Sequence, residues 1–206
     1  SDGLAVGYGA RPTADGVDAI YFVGQENYPV EFIELGFPVE IVTYGLNADT
    51  GGPGKYRGGC GIVREVRPTV DNVRVSVRIE GTVNPPWGTA GGQAGRPGRI
   101  RVNPGTPKEY ELPPIKDGVV LDRGDVLRVE TGGGGGWGNP FDRDPELVAE
   151  DVANRKVSIA GARADYGVII DPETLDIDAA ATKTCRAAHR PQSRLFHNGA
   201  YLDAMV

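Results

Sequence analysis

The chain has 206 residues, a formal net charge of −6 at pH 7, 31 glycines and 16 prolines. Without a large basic patch, that charge argues against nucleic acid and anionic lipid as partners, since both are repelled by an acidic surface. No run approaches the ~18 apolar residues of a membrane span, and glycines and prolines interrupt apolar stretches, which means many turns in a folded, mainly β chain and not disorder.

Residues 1–16 read as a loop rich in Gly, Pro, Asp and Thr. A strand is expected over 18–23. The stretch "VEFIEL" (30–35) fits either a helical turn or a strand, and the β-branched and aromatic "VEIVTYGL" (39–46) is a strand. A glycine-heavy excursion within "NADTGGPGKYRGGCGIVREV" (47–66) returns to a strand at 61–66. Then Val73, Val75, Val77 and Ile79 share one face while Arg74, Ser76, Arg78 and Glu80 share the other, which predicts an antiparallel strand with one wet side. Trp87 lies in a long loop (84–98), its ring expected under the glycines. Shorter strands are expected at 99–103, 109–112, 118–121 and 125–131.

After five consecutive glycines, Gly132 to Gly136, the organisation changes. Asp144 as N-cap, Pro145 at the first helical position and Glu146 in the first turn predict a helix within 142–156. Ser158 and Gly167 bracket a second helix. A strand, turn and strand are expected over 168–178, a third helix over 179–190, and a tail lying over a neighbouring subunit. The fold class is therefore mainly β, with antiparallel or mixed sheets, long glycine-rich loops and a small α-helical C-terminal region, α+β overall. The expected division is a β-rich core domain, 1–140, completed by a missing N-terminal part or a partner chain, and a helical region, 141–206.

The glycine run invites comparison with a phosphate cradle, in which backbone amides converge on an anion. A Walker loop would need Lys and Ser or Thr next, where Trp137, Gly138, Asn139 and Pro140 stand, and a dinucleotide loop would need its helix at once. A permissive turn packed against another element is the better reading. Cys60 and Cys185 show no zinc spacing and favour a reduced, cytoplasmic chain. His189 and His197 read as solvated or interface residues. The only methionine is Met205, so Ser1 arises from cleavage or marks a fragment; as an N-terminal residue it is also a conceivable nucleophile. Arg96, Arg99 and Arg101 read as a solvated edge or subunit contact. If residues 30–35 are helical, Glu31 and Glu34 share a face and suit acid–base work; if extended, they point apart. Arg11 suits clamping an anion, or stabilising its own loop.

Six stretches, "GYGARPTADGVDAI", "NYPVEFIELGFPVEI", "GGPGKYRGGCGIVREV", "PWGTAGGQAGRPG", "GDVLRVETGGGGGWGNPFDRDPELVAEDV" and "VSIAGARADYGVII", resemble in order the C-terminal part of the hydantoinase B family. That family includes the corresponding half of 5-oxoprolinase and the large subunits of acetone and acetophenone carboxylases. The resemblance implies an ATP-dependent cyclic amidohydrolase that is inactive alone. ATP and Mg would be bound by an actin-like hydantoinase A partner, and a divalent metal (Zn, Mn or Fe) would lie in the missing N-terminal part of the B protein. This chain itself would bind neither. It further implies a hetero-oligomer with that N-terminal fragment and the ATPase partner, acting on a small molecule, with Glu31 and Arg11 catalytic and Asn27, Asp15 and Tyr8 binding substrate. Tyr28 replaces the family's threonine after Asn27. A ketone carboxylase on the same scaffold and a non-catalytic scaffold protein are the alternatives.

Overall fold

Alternation and capping translate directly into elements. A computed structural model describes residues 3–21, 28–188, 190–191 and 193–199. In chain order these form α1 (Val30–Gly36), β1 (Val39–Leu46), β2 (Ile62–Pro68), β3 (Val73–Arg78), β4 (Gly88–Thr89), β5 (Arg99–Val102), β6 (Tyr110–Glu111), β7 (Ile115–Leu121) and β8 (Leu127–Glu130). The helices α2 (Pro145–Ala153), α3 (Ile159–Tyr166) and α4 (Ala179–Ala188) follow, and β9 (Phe196–His197) ends the described chain. This is a mainly β, α+β fold.

The strands β1-β2-β8-β5-β6 make a five-stranded sheet, while β3 pairs with β7 as a separate ribbon. All of these pairings are antiparallel. The valines of β3 face inward as their spacing predicts. Val77 joins Val119 and Leu121 of β7, Ile100 and Val102 of β5, Leu112 and Leu127 in one buried cluster, so the ribbon packs its apolar face onto the sheet. Across the outer face Arg99 pairs with Glu111, and Arg101 with Glu109 and Glu130. Arg96 pairs with Asp165. These arginines are thus tied to their own chain's carboxylates.

The helices form a second cluster. Asp144 Oδ1 accepts from Glu146 N at 3.0 Å, Ser158 Oγ accepts from Gly161 N at 2.9 Å, and Gly167 ends α3 at φ 64°, as the caps predict. Val148 and Val152 then meet Ala162, Tyr166, Val168 and Ile170. Where two strands were expected over 168–178 there is one isolated bridge, Ile170 to Ile177. The reason is local: the Asp171 carboxylate accepts from Glu173 N and Thr174 N and holds the backbone in a turn.

One other expectation fails. Trp87 is 52% exposed and meets Phe196 edge-on at 6.1 Å instead of lying under glycines. Of the tail, Phe196–His197 pairs as β9 with β4 of the same chain. Of the strand expected at 18–23, residues 22 and 23 lie outside the described residues, and Ile20 makes an isolated bridge to Val6.

The glycine run is no exposed turn. None of Gly132 to Gly136 has positive φ, so handedness is not what calls for glycine there. Close approach is. A Cβ on Gly133 would come closer than 3.0 Å to Thr50 O, on Gly134 to Tyr8 O, and on Gly135 to Trp87 O, all of them backbone atoms. Three other chain segments thus press against the run, and its peptide groups bond outward to them. Gly134 N donates to Gly59 O (2.9 Å), Gly136 N to Gln93 O (2.9 Å) and Gly133 N to Arg96 O (3.1 Å), while Gly134 O accepts from Gly52 N (2.8 Å). Two buried threonines flank this backbone core. Thr131 Oγ1 donates to Ala5 O and accepts from Ile62 N, and Thr50 Oγ1 donates to Asn47 O and accepts from Gly61 N.

Candidate functional site

Residues 6–20 form a hairpin laid on this glycine core. Val6 and Ile20 exchange backbone bonds at 3.0 and 2.8 Å, Tyr8 N donates to Val17 O at 2.9 Å, and Arg11 N donates to Ala14 O at 2.9 Å, closing a tight turn with Pro12 at its second position. Gly7 N bonds to Gly132 O (3.0 Å), Ala10 N to Gly135 O (2.8 Å) and Gly16 N to Arg57 O (2.7 Å). The tip of the hairpin is therefore fixed by backbone, whatever its side chains do.

Beneath it lies a buried charge network. Arg57 is 1% exposed, Arg143 2% and Asp151, on α2, 5%. Arg143 holds Asp15 through two bonds of 2.7 Å and reaches Asp151 at 2.7 Å. Arg57 reaches Asp18 at 2.9 Å and Asp151 at 3.3 Å, and Lys156 closes on Asp18 at 3.1 Å. Asp15 Oδ1 also accepts from Arg57 N, and Asp18 Oδ1 from Cys60 N. Burial pushes both hairpin carboxyls up, but the arginines and backbone donors outweigh it: Asp18 is held down to about 2, and Asp15 below the usual carboxylate range. Burial likewise opposes charge on Arg57 and Arg143, and their aspartates more than restore it. The network locks hairpin, glycine segment 51–60 and α2 together; removing one partner of such a buried pair costs about 3–5 kcal/mol.

The description of the family model that fits residues 2–140 is "Hydantoinase B/oxoprolinase". The chain belongs to this family. The beta subunit of caprolactamase from Pseudomonas jessenii is 37% identical over 78% of this chain and 28% of its own length. A crystal structure of the ATP-dependent caprolactamase from the same organism matches with TM-score 0.69 and 29% identity, over 89% of this chain and 33% of that one. The B-type polypeptide of a putative D-/L-hydantoinase from Pseudomonas sp. (strain NS671) is 34% identical over 83% of this chain and 29% of its length. A nucleotide-free structure of acetone carboxylase shares the fold, with TM-score 0.77 at 23% identity, over 89% of this chain and 29% of that one. The chain thus spans about a third or less of the length of each of these relatives.

In this hydantoinase B-type chain, the structure places Tyr8, Arg11 and Asp15 on the one hairpin. Tyr8 is 57% exposed. Arg11 is exposed at the tip, and its guanidinium makes no ion pair among the described residues. Asp15 is engaged by Arg143. Glu31 is exposed on α1, which settles residues 30–35 as helix, so Glu31 and Glu34 lie one turn apart. Glu34 Oε1 accepts from Ile41 N at 2.8 Å and ties α1 to β1. No hydrogen bond joins Glu31 to Tyr8, Arg11 or Asp15 among the described residues, and Asn27 and His189 lie outside those residues.

Sequence reasoning missed Arg143 and Asp151. A signal existed for Asp151: it shares the buried face of α2 with Val148 and Val152, where a charged side chain needs a partner. Among the described residues no group of three or more His, Cys, Asp or Glu side chains converges to hold a metal, so the divalent ion implied by the resemblance does not fit them. Nor does the glycine run fit a phosphate, because the amides of Gly133, Gly134 and Gly136 are already bonded to carbonyls. No helix among the described residues is long and apolar enough to cross a membrane.

Proposed function

We propose that this chain is the C-terminal portion of an ATP-dependent hydrolase of cyclic amides, working in the cytoplasm within a hetero-oligomer. The observation that carries the reading is its identity of more than a third with the beta subunit of a caprolactamase and with a hydantoinase B-type polypeptide, since caprolactam and hydantoin are both cyclic amides. ATP and Mg belong, on this reading, to a hydantoinase A-like partner, and the divalent metal (Zn, Mn or Fe) to the remainder of the B protein.

An amide nitrogen leaves poorly until charge is drawn from the C–N bond, and a group that stabilises developing negative charge at the amide oxygen lowers that barrier. Arg11 suits this role. Its fork of donors makes no ion pair among the described residues and is carried on a hairpin whose backbone is fixed at both legs, so the loop itself need not rearrange when charge appears. Tyr8, on the same hairpin, and Asn27 would contact the substrate ring. Asp15 would act through Arg143, fixing the loop, and Glu31 would take a proton from the attacking water and return it to the departing ring nitrogen.

The surface around Glu31 supports association. Tyr28 (57% exposed), Phe32 (69%), Leu35 (86%) and Phe37 (59%) form an apolar strip beside β1, the edge of the five-stranded sheet. A strip of this kind beside an open strand marks a contact surface; on this reading the remainder of the B protein covers it. Combined with that remainder and an ATP-binding partner, the chain should co-elute and open caprolactam or hydantoin with consumption of ATP. Bicarbonate fixation in place of ring opening, or ring opening without ATP, would contradict the proposal.

A further inference from the structure

A cleft of about 520 Å³ takes none of its described lining from the hairpin and includes Lys55, Trp137, Asn139, Asp142, Arg190 and Ser193. Its size falls in the range of small-molecule sites. One wall comes from Arg190, Pro191 and Ser193, and this stretch is braced by Ala90 N donating to Leu195 O (2.8 Å), Gly91 N to Arg194 O (2.7 Å), and Asn139 Nδ2 to Pro191 O (3.1 Å). The opposite side is held by paired backbones, with Lys55 N on Gly138 O (3.1 Å), Tyr56 N on Trp137 O (2.9 Å) and Trp137 N on Tyr56 O (2.9 Å). The Trp137 indole is propped by the Tyr56 ring at 5.9 Å.

The charges in this cleft do not cancel. Arg190 pairs with Asp142 at 2.6 Å, whereas Lys55 has no carboxylate partner among the described residues and lies 5.7 Å from the Tyr56 ring centroid. Among the described lining residues, two cations against one anion leave a net positive site on a chain whose total charge is −6. Beside that spare cation lies the half-buried indole, and the Ser193 hydroxyl makes no hydrogen bond among the described residues.

We infer that this cleft binds a small organic monoanion with a flat, unsaturated body. The oxyanion meets Lys55 with help from Ser193, and the flat face lies on Trp137. An unpaired ammonium rewards an oxyanion, since charge-assisted hydrogen bonds are about twice as strong as neutral ones. An indole face rewards a planar ring by offset stacking. A bare inorganic anion would use only the first of these, and an uncharged ring only the second. The inference does not depend on the function proposed above, and no residue of the cleft belongs to the hairpin.

Isothermal titration of the purified protein with benzoate tests it, with isosteric uncharged benzamide and inorganic phosphate as the comparison ligands. Benzoate should saturate one site with Kd of about 1 mM or tighter. Benzamide and phosphate should each bind at least ~10-fold more weakly. Lys55→Met, a change at an exposed side chain that leaves the fold intact, should weaken benzoate ~10-fold, and Lys55→Arg should retain it. Failure of benzoate to saturate, phosphate binding as tight as benzoate, or unchanged benzoate affinity in a folded Lys55→Met protein would each overturn the inference.

Discussion

Asp151 stands between two buried guanidinium groups, and Asp15 and Asp18 meet those same groups from the hairpin side. This arrangement makes stability depend on acid in a predictable direction. Unfolded aspartates titrate near pH 3.9, whereas folded Asp18 titrates at about 2 and Asp15 below its ordinary value. Between those limits the unfolded chain binds more protons, so the stabilisation is complete above about pH 4 and is lost as pH falls toward 2. Urea midpoints followed from pH 7 to pH 2 should fall more steeply for the wild type than for Asp18→Asn. Parallel curves would show that the ion pairs of Asp18 contribute nothing to acid-dependent stability. The sequence exposed Arg11, Asp15 and Tyr8 as one motif loop, and the structure keeps them on one hairpin. It hid Arg143 because its partner Asp15 lies 128 residues away, and no local periodicity reports such a pair.

At the scale of elements, legibility followed the locality of the cause. Helix caps act within four residues, so Asp144, Ser158 and Gly167 were readable before any fold was known. The period of β3 was readable for the same reason. For Gly132 to Gly136 the close packing was readable but its partners were not, because what demands glycine there is the backbone of residues 8, 50, 53 and 87 pressing from outside the segment. Gly134→Ala should therefore destabilise by more than about 3 kcal/mol or prevent folding, beyond the usual cost of overpacking, since backbone meets backbone. Gly36→Ala, with nothing within 4 Å and no positive φ, should change stability by less than about 1 kcal/mol. Equilibrium urea unfolding of the two variants distinguishes them; a Gly134→Ala protein as stable as Gly36→Ala would refute the close-packed glycine core. The second strand pair near the C-terminus failed as an expectation because the Asp171 carboxylate competes for the backbone that a ladder would need.

For the molecule as a whole, two apolar clusters accompany the glycine core, one between the ribbon and the sheet and one among the helices. The core is built largely from backbone, is tied to α2 through the Arg57–Asp151 pair, and carries the hairpin on its surface. Family membership was readable because six motifs recur in order, and most of those motifs turn out to be the segments that build this core and its hairpin. The apolar strip on α1 was not readable: "VEFIEL" shows which residues are apolar, and only the fold shows that Ile33 points inward while Phe32 and Leu35 point out. Placed on this frame, Arg11 is the side chain on which the proposed chemistry rests. The decisive measurement is kcat for ATP-dependent ring opening of caprolactam or hydantoin by the complete hetero-oligomer, wild type against Arg11→Ala, with assembly checked by native mass. A fall of about 10²–10³-fold in kcat with assembly intact is the predicted result, in line with the loss of a single donor to a developing oxyanion. An Arg11→Ala assembly that opens the ring at the wild-type rate would contradict the account.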